Sequence, residues 1–194
     1  MRPAVFLDRD GTMVRDVGYL SRLEDLHWFP YTVDAVRLLN RAGFLVFVTT
    51  NQGGIGLGFY SETFVRDTHQ EMAAFIAAGG GRVDGWFYCP HHPRATIDAL
   101  RVTCDCRKPG PGMVRQAQKQ FAIDLVRSFV VGDKAGDLGL ARSVGARGVL
   151  VRTGYGEAEL ARMGQAAHDA HVSLNLMEAT SWILRQTAAW TGGA

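Results

Sequence analysis

Five short runs rich in β-branched and aromatic residues recur along the chain: Ala4 to Leu7, Phe44 to Thr49, Val83 to Tyr88, Ser128 to Val131 and Gly148 to Val151. A strand apolar on successive residues must be covered on both faces, which is the habit of parallel sheets. The segments between them carry helical spacing: Val33 to Ala42, Ser61 to Ala78, Pro111 to Phe121 and Asp137 to Val144. Thr32 is placed to cap the first helix and Gly43 to end it, Gly79-Gly80-Gly81 ends the second, and Pro111 suits a first helical turn. Strand and helix in alternation predict an α/β fold, a Rossmann-like doubly wound parallel sheet with helices on both faces. After Tyr155 a helix over Glu157 to Ala166, a strand over Val172 to Leu174 and a helix over Met177 to Gln186 are expected, with fraying from Trp190. The chain has 194 residues, 47% of them hydrophobic, so one domain over 1–190 with a disordered tail at 191–194 is expected.

Polar clusters follow directly on three of these runs. They are Asp8-Arg9-Asp10-Gly11-Thr12, Thr49-Thr50-Asn51-Gln52, and Gly132-Asp133-Lys134-Ala135-Gly136-Asp137. In a parallel sheet all three lie on the carboxyl edge, where ligands bind, so topology alone brings distant residues together. Taken singly, each cluster also suits a cap or a turn. Asp8 and Asp10 stand two apart, so in extended backbone both carboxylates point to one side, where one can attack and the other handle a proton. Asp133 adds a hard oxygen ligand suited to Mg²⁺, which would shield an anionic nucleophile from an anionic substrate. Uncatalysed phosphate-ester hydrolysis is slow enough that such a combination of nucleophile, proton donor and fixed positive charge is what the reaction demands.

Charge and cysteine usage narrow the field further. Lys and Arg total 21 against 19 Asp and Glu, a net charge of +2, which argues against nucleic acid or an anionic membrane as the main partner and leaves a small anionic substrate open. No apolar stretch near Met1 is long enough for a signal peptide or a membrane span, so a cytoplasmic protein is expected; it is also expected to be a monomer. All three cysteines fall between Cys89 and Cys106, within Cys89-Pro90-His91-His92-Pro93 and Cys104-Asp105-Cys106-Arg107-Lys108. An odd number in one loop favours a metal over a disulfide framework. Three thiolates and one imidazole complete a closed tetrahedral Zn²⁺ site, with His91 preferred to His92 because the Cys-x-His spacing mirrors Cys-x-Cys. His27, His69, His168 and His171 have no such company and are expected on the surface or in the core. The loops Gly11 to Tyr31 and Cys89 to Gly110 are longer than connections need to be.

Asp8-x-Asp10-Gly-Thr, a Thr after the second strand, a Lys before a later helix and Gly-Asp133-x-x-x-Asp137 resemble the four motifs of the haloacid dehalogenase superfamily, in order from Val5 to Asp137. The resemblance implies that Asp8 is the nucleophile, Asp10 the general acid and then base, Thr50 a phosphate ligand, and Lys108 a lysine that binds phosphate and Asp8. It also implies Mg²⁺ held by Asp8, the backbone carbonyl of Asp10, and Asp133. Asp137 would be a water-held partner of the metal, and Lys134 would orient its ligands or pair with Asp8. Cys-Pro-His-His-Pro with Cys-x-Cys-Arg-Lys-Pro is similar to a capless, zinc-loop subgroup whose members act on phosphorylated heptoses and on histidinol phosphate. Leu7 to Thr12, Gly18-Tyr19, Thr50-Asn51-Gln52 and Gly132-Asp133-Lys134 fit that subgroup too. The implied reaction removes the C7 phosphate of a heptose bisphosphate, with Thr50, Asn51, Gln52, Arg107 and Lys108 around the substrate. Arg107 is a bidentate donor suited to a phosphate or hydroxyl. Two departures stand out: Gly56-Leu57 replaces the usual Ala-Arg and Tyr31 a usual Gly, so one cationic substrate contact is missing. Two further readings are a non-catalytic zinc-stabilised phosphosugar-binding module and a dinucleotide-binding domain. The second is disfavoured because Asp-Arg-Asp stands where a glycine fingerprint belongs.

Overall fold

Strand β1 (Ala4–Leu7) is fully buried, and it takes the middle of the sheet because apolar partners meet it on both faces. It pairs in parallel with β2 (Leu45–Asn51) on one side and β4 (Phe129–Gly132) on the other. Beyond β2 lies β3 (Gly85–Cys89), and beyond β4 lie β5 (Arg147–Val151) and β6 (His171–Ser173), giving the all-parallel order β3-β2-β1-β4-β5-β6. The computed structural model describes residues 1–164 and 170–191, with side chains described as far as 186.

Alternate residues on each strand feed two separate cores. Val5, Leu7, Val46, Val48 and Phe129 pack against α1 (Thr32–Arg41), α2 (Glu62–Ala78) and α6 (Leu176–Thr191). Ala4, Phe6, Phe47 and Val130 pack on the other face against α3 (Gly112–Gln118) and α4 (Ala135–Val144). Phe6 and Phe47 stack with ring centroids 5.2 Å apart. Burial of each such side chain stabilises the fold by about 1.5–3 kcal/mol, which is why the period-two alternation fixes the register. The remaining helix, α5 (Gly156–Met163), follows β5.

Several boundaries differ from the sequence expectation for local reasons. Thr32 does not cap α1: Tyr31 holds the cap position without a side-chain bond, and the Thr32 hydroxyl donates instead to the Met13 carbonyl at 2.6 Å. Strand β3 begins at Gly85 rather than Val83, because Asp84 turns its carboxylate back to accept from the Val46 amide at 2.9 Å and so closes the ladder. Helix α3 ends at Gln118, short of Phe121, whereas α6 runs past Gln186 to Thr191. Of the helix expected over Glu157 to Ala166, α5 accounts for the part to Met163. Residues 165–169, His168 among them, lie outside the described residues. So does the expected tail, apart from Thr191 at the end of α6. No helix among the described residues is long and apolar enough to cross a membrane.

Candidate active site

Strand order reverses between β1 and β4, and in an open parallel sheet the crevice outside the carboxyl ends at such a point is where ligands sit. Asp8 follows β1 there and Asp133 follows β4; the Asp8 amide donates to the Val131 carbonyl at 2.9 Å, which ties the two strand ends together. Asp8, Asp133 and Asp137 are buried and each offers a carboxylate oxygen, all within 4.8 Å of one another. Asp8 and Asp137 line a cleft of about 380 Å³ whose wall also includes Asp10, Thr50, Asn51, Arg107, Lys108 and Lys134, and Asp133 lies beside them, fully buried.

Three carboxylates so close need compensating charge. Lys108 supplies part of it: its Nζ lies 2.8 Å from Asp8, 2.5 Å from Asp137 and 2.8 Å from the Thr49 carbonyl. Lys134 supplies more, at 3.2 Å from Asp133 and 2.9 Å from Asp16. Burial alone would raise Asp8, but Lys108 and Lys134 outweigh it and hold the carboxyl below its usual range. Asp133 is not fully compensated. Burial and the Asp8 charge, against Lys134, push it up to about 7, and Asp137 is raised to about 6 by burial and Asp8 against Lys108. A cluster of hard oxygen donors short of positive charge fits a divalent cation of the magnesium kind. Two glycines make room for the Asp133 carboxylate. Gly11 and Gly154 both have positive φ, +84° and +60°, and a Cβ on either would meet Asp133 Oδ2 at 2.1 or 2.2 Å. The Thr153 hydroxyl joins these loops by donating to the Gly11 carbonyl at 2.6 Å, and the Tyr155 amide donates to Asp133 at 2.8 Å.

Asp10 is held from the other side. The buried Arg9 guanidinium grips it with two bonds of 3.0 and 2.8 Å, and Gln52 Nε2 donates to Asp10 Oδ2 at 3.0 Å. Gln52 Nε2 also donates to Thr50 Oγ1 at 2.8 Å, while its Oε1 accepts from Arg9 at 3.1 Å and from the Tyr60 hydroxyl at 2.9 Å. Burial, the first cause, pushes Tyr60 up to about 12, so it remains a donor.

The cysteine loop reaches the cleft through its last residues. Cys89 closes β3, and its sulfur lies 3.6 Å from Cys104 and 3.1 Å from Cys106; Cys104 and Cys106 are 3.3 Å apart. His91 Nδ1 completes the group at 3.6 Å from Cys89 and 3.2 Å from Cys106. Ligand atoms about 2.3 Å from a tetrahedral zinc are about 3.8 Å apart, so this spacing fits one ion. His92 points elsewhere: its Nδ1 accepts from the Arg94 amide at 3.1 Å. Beyond Cys106, Arg107 Nη1 donates to the His91 carbonyl at 3.0 Å. The Lys108 backbone is clasped by Asn51, whose Oδ1 accepts from its amide at 3.0 Å and whose Nδ2 donates to its carbonyl at 3.3 Å. The Cys/His cluster and the lysine of the cleft are thus two positions apart in the chain, Cys106 and Lys108 flanking Arg107.

Known proteins resemble the chain in sequence and in fold. A family profile described as HAD-hydrolase-like matches residues 105–179. The D-glycero-beta-D-manno-heptose-1,7-bisphosphate 7-phosphatase of Rhodopseudomonas palustris is 45% identical over 147 residues, covering 76% of this chain and 82% of that one. The chain belongs to the heptose-bisphosphate phosphatase family of the haloacid dehalogenase superfamily. The enzyme of the same name from Escherichia coli K12 is 42% identical over 154 residues, 78% of this chain and 80% of its own. A solved relative is the D,D-heptose 1,7-bisphosphate phosphatase from B. bronchiseptica, crystallised with magnesium and phosphate. It superposes with a TM-score of 0.84 at 31% identity, covering 95% of this chain and 99% of that one. As a member of this phosphatase family the chain is an enzyme, a phosphoric monoester hydrolase.

Within that family frame, the cleft gathers Asp8, Asp10, Thr50, Asn51, Arg107, Lys108, Lys134 and Asp137, with Asp133 buried beside Asp8 and Asp137 and with Gln52 bonded to Asp10. Two placements sharpen the expectation. The Lys134 side chain bonds Asp133 and Asp16, not Asp8, on which it acts only through its charge. Asp137 carries a direct ion pair to Lys108, and its second oxygen accepts from the Lys134 amide at 3.1 Å. Arg9, Asp16, Tyr60, Gly154 and Tyr155 were not anticipated. For the last two a signal existed: Thr153-Gly154-Tyr155 follows the fifth strand on the same carboxyl edge as the other clusters. His69 is a core residue, stacked on Trp86 at 4.9 Å and pushed down to about 3 by burial. His27 is exposed, and His171 stacks on Trp182.

Proposed function

We propose that the chain removes the C7 phosphate of D-glycero-β-D-manno-heptose 1,7-bisphosphate through a phospho-Asp8 intermediate. The observation that carries this reading is the buried cluster in which Asp8 stands beside Asp133 and Asp137 and pairs with Lys108, in a chain 45% identical to a phosphatase of that name. An Asp8 oxygen attacks phosphorus, the bond from phosphorus to the sugar oxygen breaks, and Asp10 donates its proton to the departing alkoxide. Asp10 then takes a proton from the water that attacks the acyl phosphate, which frees inorganic phosphate and restores Asp8. Lys108, Arg107, Thr50 and Asn51 surround the phosphoryl oxygens, with Gln52 fixing Thr50 and Asp10. Asp8, Asp133 and the Asp10 carbonyl would hold Mg²⁺, with Asp137 and Lys134 supporting them. When bound, that ion supplies charge neutralisation between two anions and polarises the phosphoryl group.

The substrate assignment is tested by comparing kcat/KM on heptose 1,7-bisphosphate and on histidinol phosphate with purified enzyme and Mg²⁺. A preference for the heptose of at least about 100-fold is expected, the scale of discrimination that one or two bidentate phosphate contacts provide. A preference for histidinol phosphate ends the assignment.

Cys89, His91, Cys104 and Cys106 form a second, closed site, whose role we take to be structural Zn²⁺ binding. Metal analysis of protein purified without chelators should give about one zinc per chain, since four ligands fill one tetrahedral site. Cys104→Ser should remove that zinc and lower activity on the order of tenfold or more, because Arg107 and Lys108 lose their anchor. A zinc-free preparation of full activity and unchanged melting temperature would rule the site out.

A further inference from the structure

Tyr60 does not line the cleft, yet its hydroxyl reaches into the hydrogen-bond network behind it. Gln52, only 1% exposed, is bonded at every position of its amide: Oε1 accepts from Tyr60 and Arg9, and Nε2 donates to Asp10 and Thr50. An amide turned end for end would set its NH₂ against two donors and its oxygen against the Asp10 carboxylate. The two donors on Oε1 therefore select the orientation in which Gln52 presents an N–H to Asp10. Arg9 is one of them, but Arg9 also grips Asp10 directly, so Tyr60 is the donor that enters this network through Gln52.

The phenol is built into place. A Cβ at position 54 would come within 2.4 Å of the Tyr60 ring, so only glycine lets the ring lie there. The ring also packs against Phe64, 5.9 Å away, in the first turn of α2, a turn that Ser61 caps by accepting from the Phe64 amide at 3.0 Å. We infer that Tyr60 is a positioning residue for proton transfer by Asp10, acting through the Gln52 amide. The inference rests on the reading of Asp10 as the proton donor. Its chemical consequence is selective. Proton donation matters when the leaving group is a strongly basic sugar alkoxide and matters little when it is p-nitrophenolate, which departs without a proton.

The test measures wild type, Tyr60→Phe and Asp10→Asn on heptose 1,7-bisphosphate and on p-nitrophenyl phosphate. Tyr60→Phe keeps the ring on Gly54 and, read as kcat/KM, which reports the step that expels the leaving group, should lose about three- to tenfold on the heptose and less than about twofold on p-nitrophenyl phosphate. Asp10→Asn should show the same bias, larger. If Asp10→Asn is biased and Tyr60→Phe is unaffected, or is impaired equally on both substrates, the inference is overturned while the role of Asp10 stands. If Asp10→Asn itself shows no bias, the proton-donor reading fails and takes the inference with it. On a Gln52→Ala background Tyr60→Phe should cost nothing further, whereas additive losses would mean that Tyr60 acts by another route.

Discussion

Asp8→Asn should lower kcat on heptose 1,7-bisphosphate by on the order of 10⁴-fold or more and leave the fold intact. The amide is nearly the same size as the carboxylate, and its oxygen can still accept from Lys108, which lies 2.8 Å from Asp8. What disappears is the negative charge that makes the oxygen a nucleophile, and no other carboxylate replaces it. Asp133 and Asp137 are neighbours, but Asp137 is committed to Lys108 and Asp133 receives bonds from Lys134 and the Tyr155 amide. Single-turnover kinetics, with mass spectrometry for a phosphate adduct on the wild-type protein, supply the check. Turnover within tenfold of wild type, or an adduct on a different residue, would end the covalent mechanism.

Lys108→Ala should have the largest effect on stability, about 3–5 kcal/mol by urea denaturation at neutral pH, along with a loss of at least about 10²-fold in kcat. Lys108 is 7% exposed, and its ammonium is the direct partner of both Asp8 and Asp137. Burial would lower its pKa, but the two carboxylates more than offset that and raise it. A cation whose pKa rises on folding contributes stability that is complete below its unfolded value and is lost only as pH climbs through the raised one. The contribution is therefore fully present at neutral pH, where the truncation leaves two buried carboxylates without their shared partner. A destabilisation below about 1 kcal/mol would contradict this charge balance.

The central sheet was legible because its strands are buried on both faces. β1 matches its apolar run residue for residue, and β2, β4 and β5 begin and end within two residues of theirs. Edges were harder. In β3, Phe87 and Cys89 are buried while the residues between and before them are half-covered, so the run gives no sharp start, and a side chain, that of Asp84, decides it. Thr32 shows the same limit: its composition fits a cap, but the hydroxyl finds a carbonyl 19 positions earlier, a partner set by the path of the loop. In the site, the polar clusters on the carboxyl edge were visible as sequence because topology turns three separate runs into one crevice. Arg9 and Tyr60 were not, since an arginine next to a motif and a tyrosine before a helix look like surface and packing residues until their hydrogen bonds are seen. Of the two partners open to Lys134, a metal ligand or Asp8, it bonds the proposed ligand Asp133, and its further bond to Asp16 had no signal because Asp16 comes from the long loop after β1, whose course no periodicity foretells.

The two left-handed glycines pressed against Asp133 carry a lesson for reading variation. Neither Gly11 nor Gly154 has a functional group, but a methyl at either position would have to displace the carboxylate itself. In a saturation screen for survival under selection, both positions should therefore behave like members of the reaction centre, tolerating no other amino acid, although all they contribute is empty space.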